Sequence, residues 1–133
     1  MSTFTLQIGE FAAQAKENAQ QVVRKVAGDV LAKVVLRTPV DTGRARANWV
    51  TTYGNPSTVT RNDTDRTGQA AILKGQATIR RATEGETIYI LNSLPYAIPL
   101  EYGHSKQAPF GMVRLTVTEF QTFVDNAVRS LRK

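Results

Sequence analysis

The segment Arg-Thr-Pro-Val-Asp-Thr-Gly-Arg-Ala-Arg-Ala-Asn-Trp, residues 37–49, decides how this chain folds. Proline disfavours helix in the residue before it, so a preceding helix must end ahead of the Thr-Pro pair at 38–39. Asp41 or Thr42 can cap a short helix inside the segment. The β-branched and aromatic residues 49–53 then predict a strand. We therefore expect a helix, a tight turn and a strand in close succession.

Upstream of this segment, residues 8–37 have the pattern of one long amphipathic helix. Apolar side chains recur at steps of three and four residues, which aligns them on one face. They are Ala15, Ala19, Val22, Val26, Val30 and Val34, with Phe11 and Val23 widening the stripe. Polar and charged residues occupy the other sides, so one face of this helix is expected to pack on the core.

Downstream, the pattern alternates between helices, strands and polar connections. Residues 54–67 are polar and rich in turn formers, which predicts a long exposed loop or hairpin arm. Residues 68–81 are a helix candidate, and Thr87–Leu91 predicts a second strand that ends at Asn92. Residues 112–131 have the apolar spacing of an amphipathic C-terminal helix.

This order of elements predicts a single α+β domain covering residues 1–133. A small antiparallel sheet should pack against the long N-terminal helix and the C-terminal helix, with the 54–67 arm extending from it. Because two or three strands make a poor independent sheet, we expect further strands to extend it. These would come from a hairpin within residues 50–67 or from adjacent subunits.

The composition limits the classes of function. The chain has no cysteine, which excludes disulfides and thiolate metal sites. Residues 1–10 lack a basic start and a long apolar run, and no apolar stretch approaches the roughly 18 residues that span a bilayer. We therefore expect a protein assembled in a cytoplasm, without membrane contact. The net charge of +6 indicates an acidic partner, either nucleic acid or an acidic protein face, or simply a well-solvated surface.

Signals of catalysis are weak. The triplet 41–43, Asp-Thr-Gly, occurs in aspartic proteases, but here it follows a helix end and a proline, and a cap with a turn explains it fully. His104 is the sole histidine and has neither metal-ligand spacing nor a nucleophile beside it. No glycine-rich phosphate loop is present. We expect no enzyme activity, no cofactor and no metal; a pocket with a strongly perturbed acid near Asp41 would change that expectation.

A set of motifs in fixed order is more specific than any of these signals. The first motif is residues 37–49, which follow a long helix. The second is residues 88–97, Ile-Tyr-Ile-Leu-Asn-Ser-Leu-Pro-Tyr-Ala. Two short motifs then precede the C-terminal helix: Leu-Glu-Tyr-Gly at 100–103 and Pro-Phe-Gly-Met-Val at 109–113. The ordered set resembles the tail-completion, or head–tail joining, family of long-tailed bacteriophages. The resemblance covers roughly residues 8–131, although residues 54–81 carry no motif that aligns.

The resemblance implies a structural role and assigns turn positions, none of them catalytic. Glycine permits tight turns, aspartate and asparagine can bond free backbone groups, and aromatic rings supply packing area. Each position is also explained by maintenance of the fold alone, which is the interpretation we favour. The positions are Asp41, Gly43, Asn48, Trp49, Asn92, Tyr96, Ala97, Glu101 and Gly103.

The resemblance further implies a virion protein at the head–tail interface or tail top. Its partners would be copies of itself in a ring, expected to be sixfold, and neighbouring rings such as a head-closure ring, a tail terminator or the tail tube. The 54–67 arm and the 103–110 loop are the expected contact surfaces. If double-stranded DNA passes through the lumen, the charge density selects Arg61, Arg66, Arg80 and Arg81 as nonspecific phosphate contacts. The alternative function is that of a small basic nucleic-acid-binding protein.

Overall fold

The computed structural model describes residues 4–7, 19–40, 42–60, 62–83, 86–94 and 111–131. It is an α+β fold in which helices pack on one face of a small antiparallel sheet. The elements, in chain order, are β1 Phe4–Gln7, α1 Ala19–Arg37, α2 Arg44–Ala47, β2 Trp49–Tyr53, α3 Gln69–Arg81, β3 Ile88–Asn92, α4 Met112–Thr118 and α5 Phe120–Leu131.

Helix α1 forms the centre of the core. Its buried side chains follow the predicted three- and four-residue steps, because that spacing repeats once per helical turn. They are Val22, Val23, Val26, Ala27, Val30, Leu31, Val34 and Val35. On the solvent side Lys25 pairs with Asp29, four residues on, at 3.2 Å. The first part of the predicted helix, residues 8–18, lies outside the described residues.

The sheet has three strands in the order β1-β3-β2, all antiparallel. Phe4 lies opposite Asn92, and Trp49 lies opposite the same asparagine from the other side. The third strand is therefore the N-terminal segment 4–7, which the sequence pattern did not predict. The expected extra hairpin within 50–67 was wrong for the part described, since 54–60 and 62–68 contain no strand. Strand β1 was not predicted because its four residues are too short a run to show a clear alternation of apolar and polar side chains.

Helices α3, α4 and α5 pack against α1 and close the core. The close approach of α3 depends on Gly75, where a Cβ would lie 2.3 Å from a methyl of Leu31 and 2.7 Å from the hydroxyl of Thr51. Glycine at this point lets α3 touch both α1 and β2, although it lowers helix propensity by about 1 kcal/mol relative to alanine. The other buried core residues from these helices are Ala71, Ile72, Ile79, Met112, Phe123, Val124 and Ala127.

The C-terminal helix is present but interrupted at Glu119, which separates α4 from α5. Arg37, the last residue of α1, forms an ion pair with Glu119 and donates a second hydrogen bond to the hydroxyl of Thr116 at 3.2 Å. The Thr116 hydroxyl in turn donates to the carbonyl of Met112 at 2.7 Å. The end of α1 is thus fastened to the break, a tertiary contact that helical periodicity alone does not reveal.

Candidate functional site

The turn between α1 and β2 is built on Gly43. This residue has φ +92° and serves as the N-cap of α2 without any side-chain cap. The hydroxyl of Thr42 accepts a hydrogen bond from the amide of Arg44 at 3.3 Å, within the turn. Asp41 lies outside the described residues. The N-cap position thus falls on Gly43, one residue after Thr42, while the Thr42 hydroxyl still accepts from the first amide of α2.

Trp49 joins the start of β2 to the end of α1. Its indole Nε1 donates to the hydroxyl of Thr38 at 2.7 Å, and that hydroxyl donates to the carbonyl of Val34 at 2.6 Å. All three residues are buried. Since buried polar groups destabilise a fold when they lack partners, this relay allows the helix end and the strand to meet in the core.

Arg46 links three segments of backbone around the turn by hydrogen bonds. Its guanidinium donates to the carbonyl oxygens of Leu36 at 2.9 Å, Thr38 at 3.0 Å and Arg66 at 2.7 Å. The first of these lies in the last turn of α1, where carbonyls lack helical partners and the helix dipole is negative. Arg46 was not among the residues selected from the sequence, although a cation soon after a helix end is a usable signal for this role.

The two asparagines at the turn also satisfy backbone groups. Asn92 is fully buried; its Nδ2 donates to the carbonyl of Ala45 at 2.9 Å, and its Oδ1 accepts from the amide of Leu94 at 3.2 Å. Asn48 Nδ2 donates to the carbonyl of Arg44 at 2.8 Å. Asn92 therefore links the central strand to α2. We call Thr38, Gly43, Arg46, Asn48, Trp49 and Asn92 the turn cluster.

Asp65 connects the turn cluster to α3. Its amide donates to the carbonyl of Gly43 at 2.9 Å. Its carboxylate accepts from the amides of Gly68 at 3.1 Å and Ala71 at 2.9 Å, which are free donors at the start of α3. Asp65 was missed by the sequence analysis, because it precedes α3 by four residues and acts through a tight turn at Gly68.

Replacement of Asp65 by alanine should lower the free energy of unfolding by about 1–2 kcal/mol, the usual effect of losing a helix cap. Asp63→Ala is the matched control: it removes the same charge two residues away, from an exposed side chain that makes no hydrogen bond within the described residues. Urea unfolding followed by the fluorescence of the single tryptophan measures both. Equal losses in the two variants would show that charge, not capping, is responsible.

A groove of about 540 Å³ lies beside the turn cluster, between β2, α3 and residues 62–65. That volume is within the range of small-molecule sites. Its charged lining residues are Asp63, Asp65 and Lys74. Asp65 is already bonded to two amides, and no group of three metal-ligating side chains occurs in the described ranges. The groove therefore provides a concave surface beside the edge of β2, and its described lining residues do not form a metal-binding or catalytic arrangement.

The structure brings four of the predicted turn residues together: Gly43, Asn48, Trp49 and Asn92. The other turn positions, Asp41, Tyr96, Ala97, Glu101 and Gly103, lie outside the described residues, as does the 103–110 loop. Among the predicted DNA contacts, Arg66 precedes α3, whereas Arg80 and Arg81 are exposed in its last turn. At ~1.5 Å per residue the two ends of α3 are about 18 Å apart, so these arginines form two separate basic surfaces. Arg61 lies outside the described residues.

No helix in the described part of the chain is long and apolar enough to cross a membrane.

Comparison with known proteins gives one match. The sequence model of a family described as "Bacteriophage HK97-gp10, putative tail-component" matches residues 2–103. The matched range covers well over half of the chain and includes the whole turn cluster and the groove. No curated protein and no solved structure shows a significant match.

Proposed function

The chain belongs to the HK97-gp10-like family of bacteriophage tail components, and from this we propose that it is a ring subunit of the phage neck or tail top that completes the tail and joins it to the head connector. The observation that carries the proposal is the family match across residues 2–103. A tail component is a virion protein, so its partners include other tail or neck proteins.

The geometry of the turn cluster supports a structural role without catalysis. The polar groups described for Thr38, Arg46, Trp49 and Asn92 donate to or accept from backbone or one another. A catalytic group must instead be free to meet a substrate. These side chains hold α1, α2, β2 and β3 in one arrangement. We assign them to the stability of the subunit, and we propose that it acts without cofactor or metal.

The ring is the part of the proposal that concerns contacts between copies. A head-to-tail contact repeated about an axis must close into a ring or grow into a filament. We propose a closed ring, sixfold in number, stacked between neighbours such as a head-closure ring, a tail terminator or the tail tube. The contact surfaces would be the exposed 54–67 arm and the 103–110 loop.

The direct test is deletion of the gene in the phage or prophage that carries it. We expect lysates with filled heads beside separate tails in negative-stain electron microscopy, and recovery of joined particles when the gene is supplied in trans. The matched control supplies the same gene with a stop codon at Gln7, which separates loss of the protein from effects on neighbouring genes. Tails of irregular length would move the proposal to a terminator role, whereas normal infectious virions would refute it.

One observation favours contact with DNA as an additional role. Helix α3 carries Lys74, Arg80 and Arg81, all exposed, and has no acidic residue. Lys74 and Arg81 are seven residues apart, which places them on the same side of the helix. Such a stripe suits phosphates read without regard to sequence. A surface of this kind would line the channel of the proposed ring.

The double substitution Arg80→Gln and Arg81→Gln should reduce infectivity at least tenfold if the C-terminal end of α3 faces DNA. Glutamine removes the charges without placing an acid at the negative end of the helix dipole. Arg129→Gln in the exposed last turn of α5 is the control. Unchanged infectivity would place the stripe away from DNA. Strong, salt-sensitive DNA binding by the isolated protein, together with normal virions after deletion, would instead support the nucleic-acid-binding alternative.

A further inference from the structure

The outer edge of β2 pairs with no strand in the parts of the chain that the structure describes. Strand β2 lies at the end of the sheet order β1-β3-β2, so β3 is its one strand neighbour within those residues. Gly54 is opposite Thr87 by the register, and its amide donates to the carbonyl of Thr87 at 2.9 Å. In an antiparallel pair the inward and outward positions alternate. The backbone N–H and C=O groups of Thr51 and Tyr53 therefore point away from β3.

These outward groups have no partner in the parts of the chain that the structure describes. Exposed edges are normally blunted by a charged side chain, a proline or a bulge. The sequence of β2, Trp-Val-Thr-Thr-Tyr, contains none of these protecting residues. Part of the edge, from Trp49 to Thr51, lines the 540 Å³ groove. An edge with free backbone groups and no protecting residue can accept an added strand.

The same chain presents a segment suited to this edge. Residues 57–60, Ser-Thr-Val-Thr, are rich in β-branched residues and carry no charge, like β2 itself. They form neither helix nor strand, and the side chain of Val59 is 60% exposed. The Val59 amide donates only locally, to the hydroxyl of Ser57 at 3.3 Å. Within the described residues, a β-branched segment without a strand partner and a strand edge without a partner thus occur on one polypeptide.

The segment does not pair with the edge of its own chain. The chain leaves β2 at Gly54, whose amide donates to the carbonyl of Thr87, just before β3, and Thr52 Oγ1 donates to the carbonyl of Asn55 at 2.7 Å. Pro56 follows directly, and the described residues contain no backbone bond between 57–60 and β2. Within the described residues, the 57–60 segment is therefore not bonded to the edge of its own chain, which leaves it available to the next copy.

We propose that residues 57–60 of one subunit add as a fourth strand to the outer edge of β2 in the neighbouring subunit. The occupant is a second copy of this chain, and the proposal rests on the ring assembly proposed above. Each subunit donates one segment and accepts one, which is the head-to-tail contact that a ring requires. Main-chain hydrogen bonds would supply the affinity, as in other strand additions.

Disulfide cross-linking in assembled particles tests this contact, and the absence of native cysteine makes the result easy to interpret. One cysteine replaces Thr52, whose position faces an edge-added strand at the closest Cα spacing, about 4.5 Å. A second replaces, in turn, residues 57, 58, 59 and 60. Because side chains alternate along a strand, cross-linking should be strong at alternate positions of the four. In gels it should give a ladder from dimers to the full ring.

Thr52→Cys combined with Ser130→Cys, on α5, is the matched control and should give no ladder. A fast-migrating monomer without a ladder would show pairing within one chain and overturn the proposal. Equal cross-linking at all four positions would also overturn it, because a mobile arm lacks alternation. If the cysteine variants are present in joined particles but never cross-link, the strand addition is likewise overturned. If the protein is absent from virions, that result counts instead against the proposed function.

A second variant guards against failure of the cysteine pairs to assemble. Val59→Pro removes an amide that an added strand needs, at an exposed position where the amide's bond within the subunit is a local one to the Ser57 hydroxyl at 3.3 Å. We expect the isolated subunit to keep its thermal stability while joined particles fall at least tenfold. Val59→Thr, which keeps the amide and the branched side chain, should support assembly. Normal assembly of the proline variant would refute the strand addition.

Discussion

Gly43→Ala should lower the free energy of unfolding by about 3 kcal/mol, because the substitution combines a strained backbone with an overlap. The residue has φ +92°, a left-handed conformation that costs a non-glycine residue roughly 1–2 kcal/mol. A Cβ there would also lie 2.7 Å from the amide nitrogen of Arg66 and 2.8 Å from backbone atoms of Asp65. Backbone atoms cannot move aside as a flexible side chain can.

The overlap should also disturb the hydrogen bond from the Asp65 amide to the Gly43 carbonyl. Since Asp65 caps α3, the effect of one methyl group is expected to spread from the turn to that helix. Hydrogen exchange should therefore show faster exchange of the first amides of α3 in the variant. This second readout separates a local strain at the turn from the proposed coupling between the turn and α3.

Gly54→Ala is the matched control for the conformational part of this effect. Gly54 also has a positive φ, +82°, but a Cβ there would meet only the carboxylate oxygen of Glu86, at 3.1 Å, which can move. We expect a loss of about 1 kcal/mol in this variant. Urea unfolding followed by Trp49 fluorescence measures both proteins. Similar losses in the two variants would show that the contact with residues 65–66 contributes little.

Local signals predicted most of the secondary structure. The 49–53 strand is where the pattern placed it, and the helix over 69–81 and the strand over 88–92 differ from prediction by one residue at their ends. Each of these elements has an apolar period or a β-branched run that is visible in a short window. Strand β1 was missed because it has four residues and forms only by pairing with β3. The interruption at Glu119 was missed because its contact is with Arg37.

The candidate site was predictable only in part, for a similar reason. Gly43 and Trp49 belong to a turn motif that is contiguous in sequence. The contribution of Asp65 and the bond from Arg46 to the Arg66 carbonyl depend on residues 62–68 returning to the turn, and no sequence pattern in the arm indicates this return. Hydrogen bonds between a side chain and a distant backbone carbonyl leave no periodic trace in the sequence. Such contacts hold the groove and the unpaired edge of β2 in place.

Trp49→Ala should be the most destabilising single substitution of a side chain in the turn cluster, with a loss of about 3–5 kcal/mol. The indole is buried at the start of β2, opposite Asn92 in the sheet, and fills the space between the strand and the end of α1. Truncation would leave a cavity beside Thr38 and Asn92. Circular dichroism must follow unfolding here, because the chain contains no other tryptophan.

Trp49→Phe separates the volume of the ring from its hydrogen bond. Phenylalanine keeps most of the apolar area and removes the Nε1 donor to Thr38, for which we expect a loss of about 1 kcal/mol beyond the effect of ring size. Thr38 would still donate to the carbonyl of Val34, so its hydroxyl is not left without a partner. The double variant Trp49→Phe with Thr38→Val completes a cycle whose coupling energy isolates this one bond. A coupling near zero would mean that the indole contributes by packing alone, and that the end of α1 reaches β2 through the carbonyls held by Arg46.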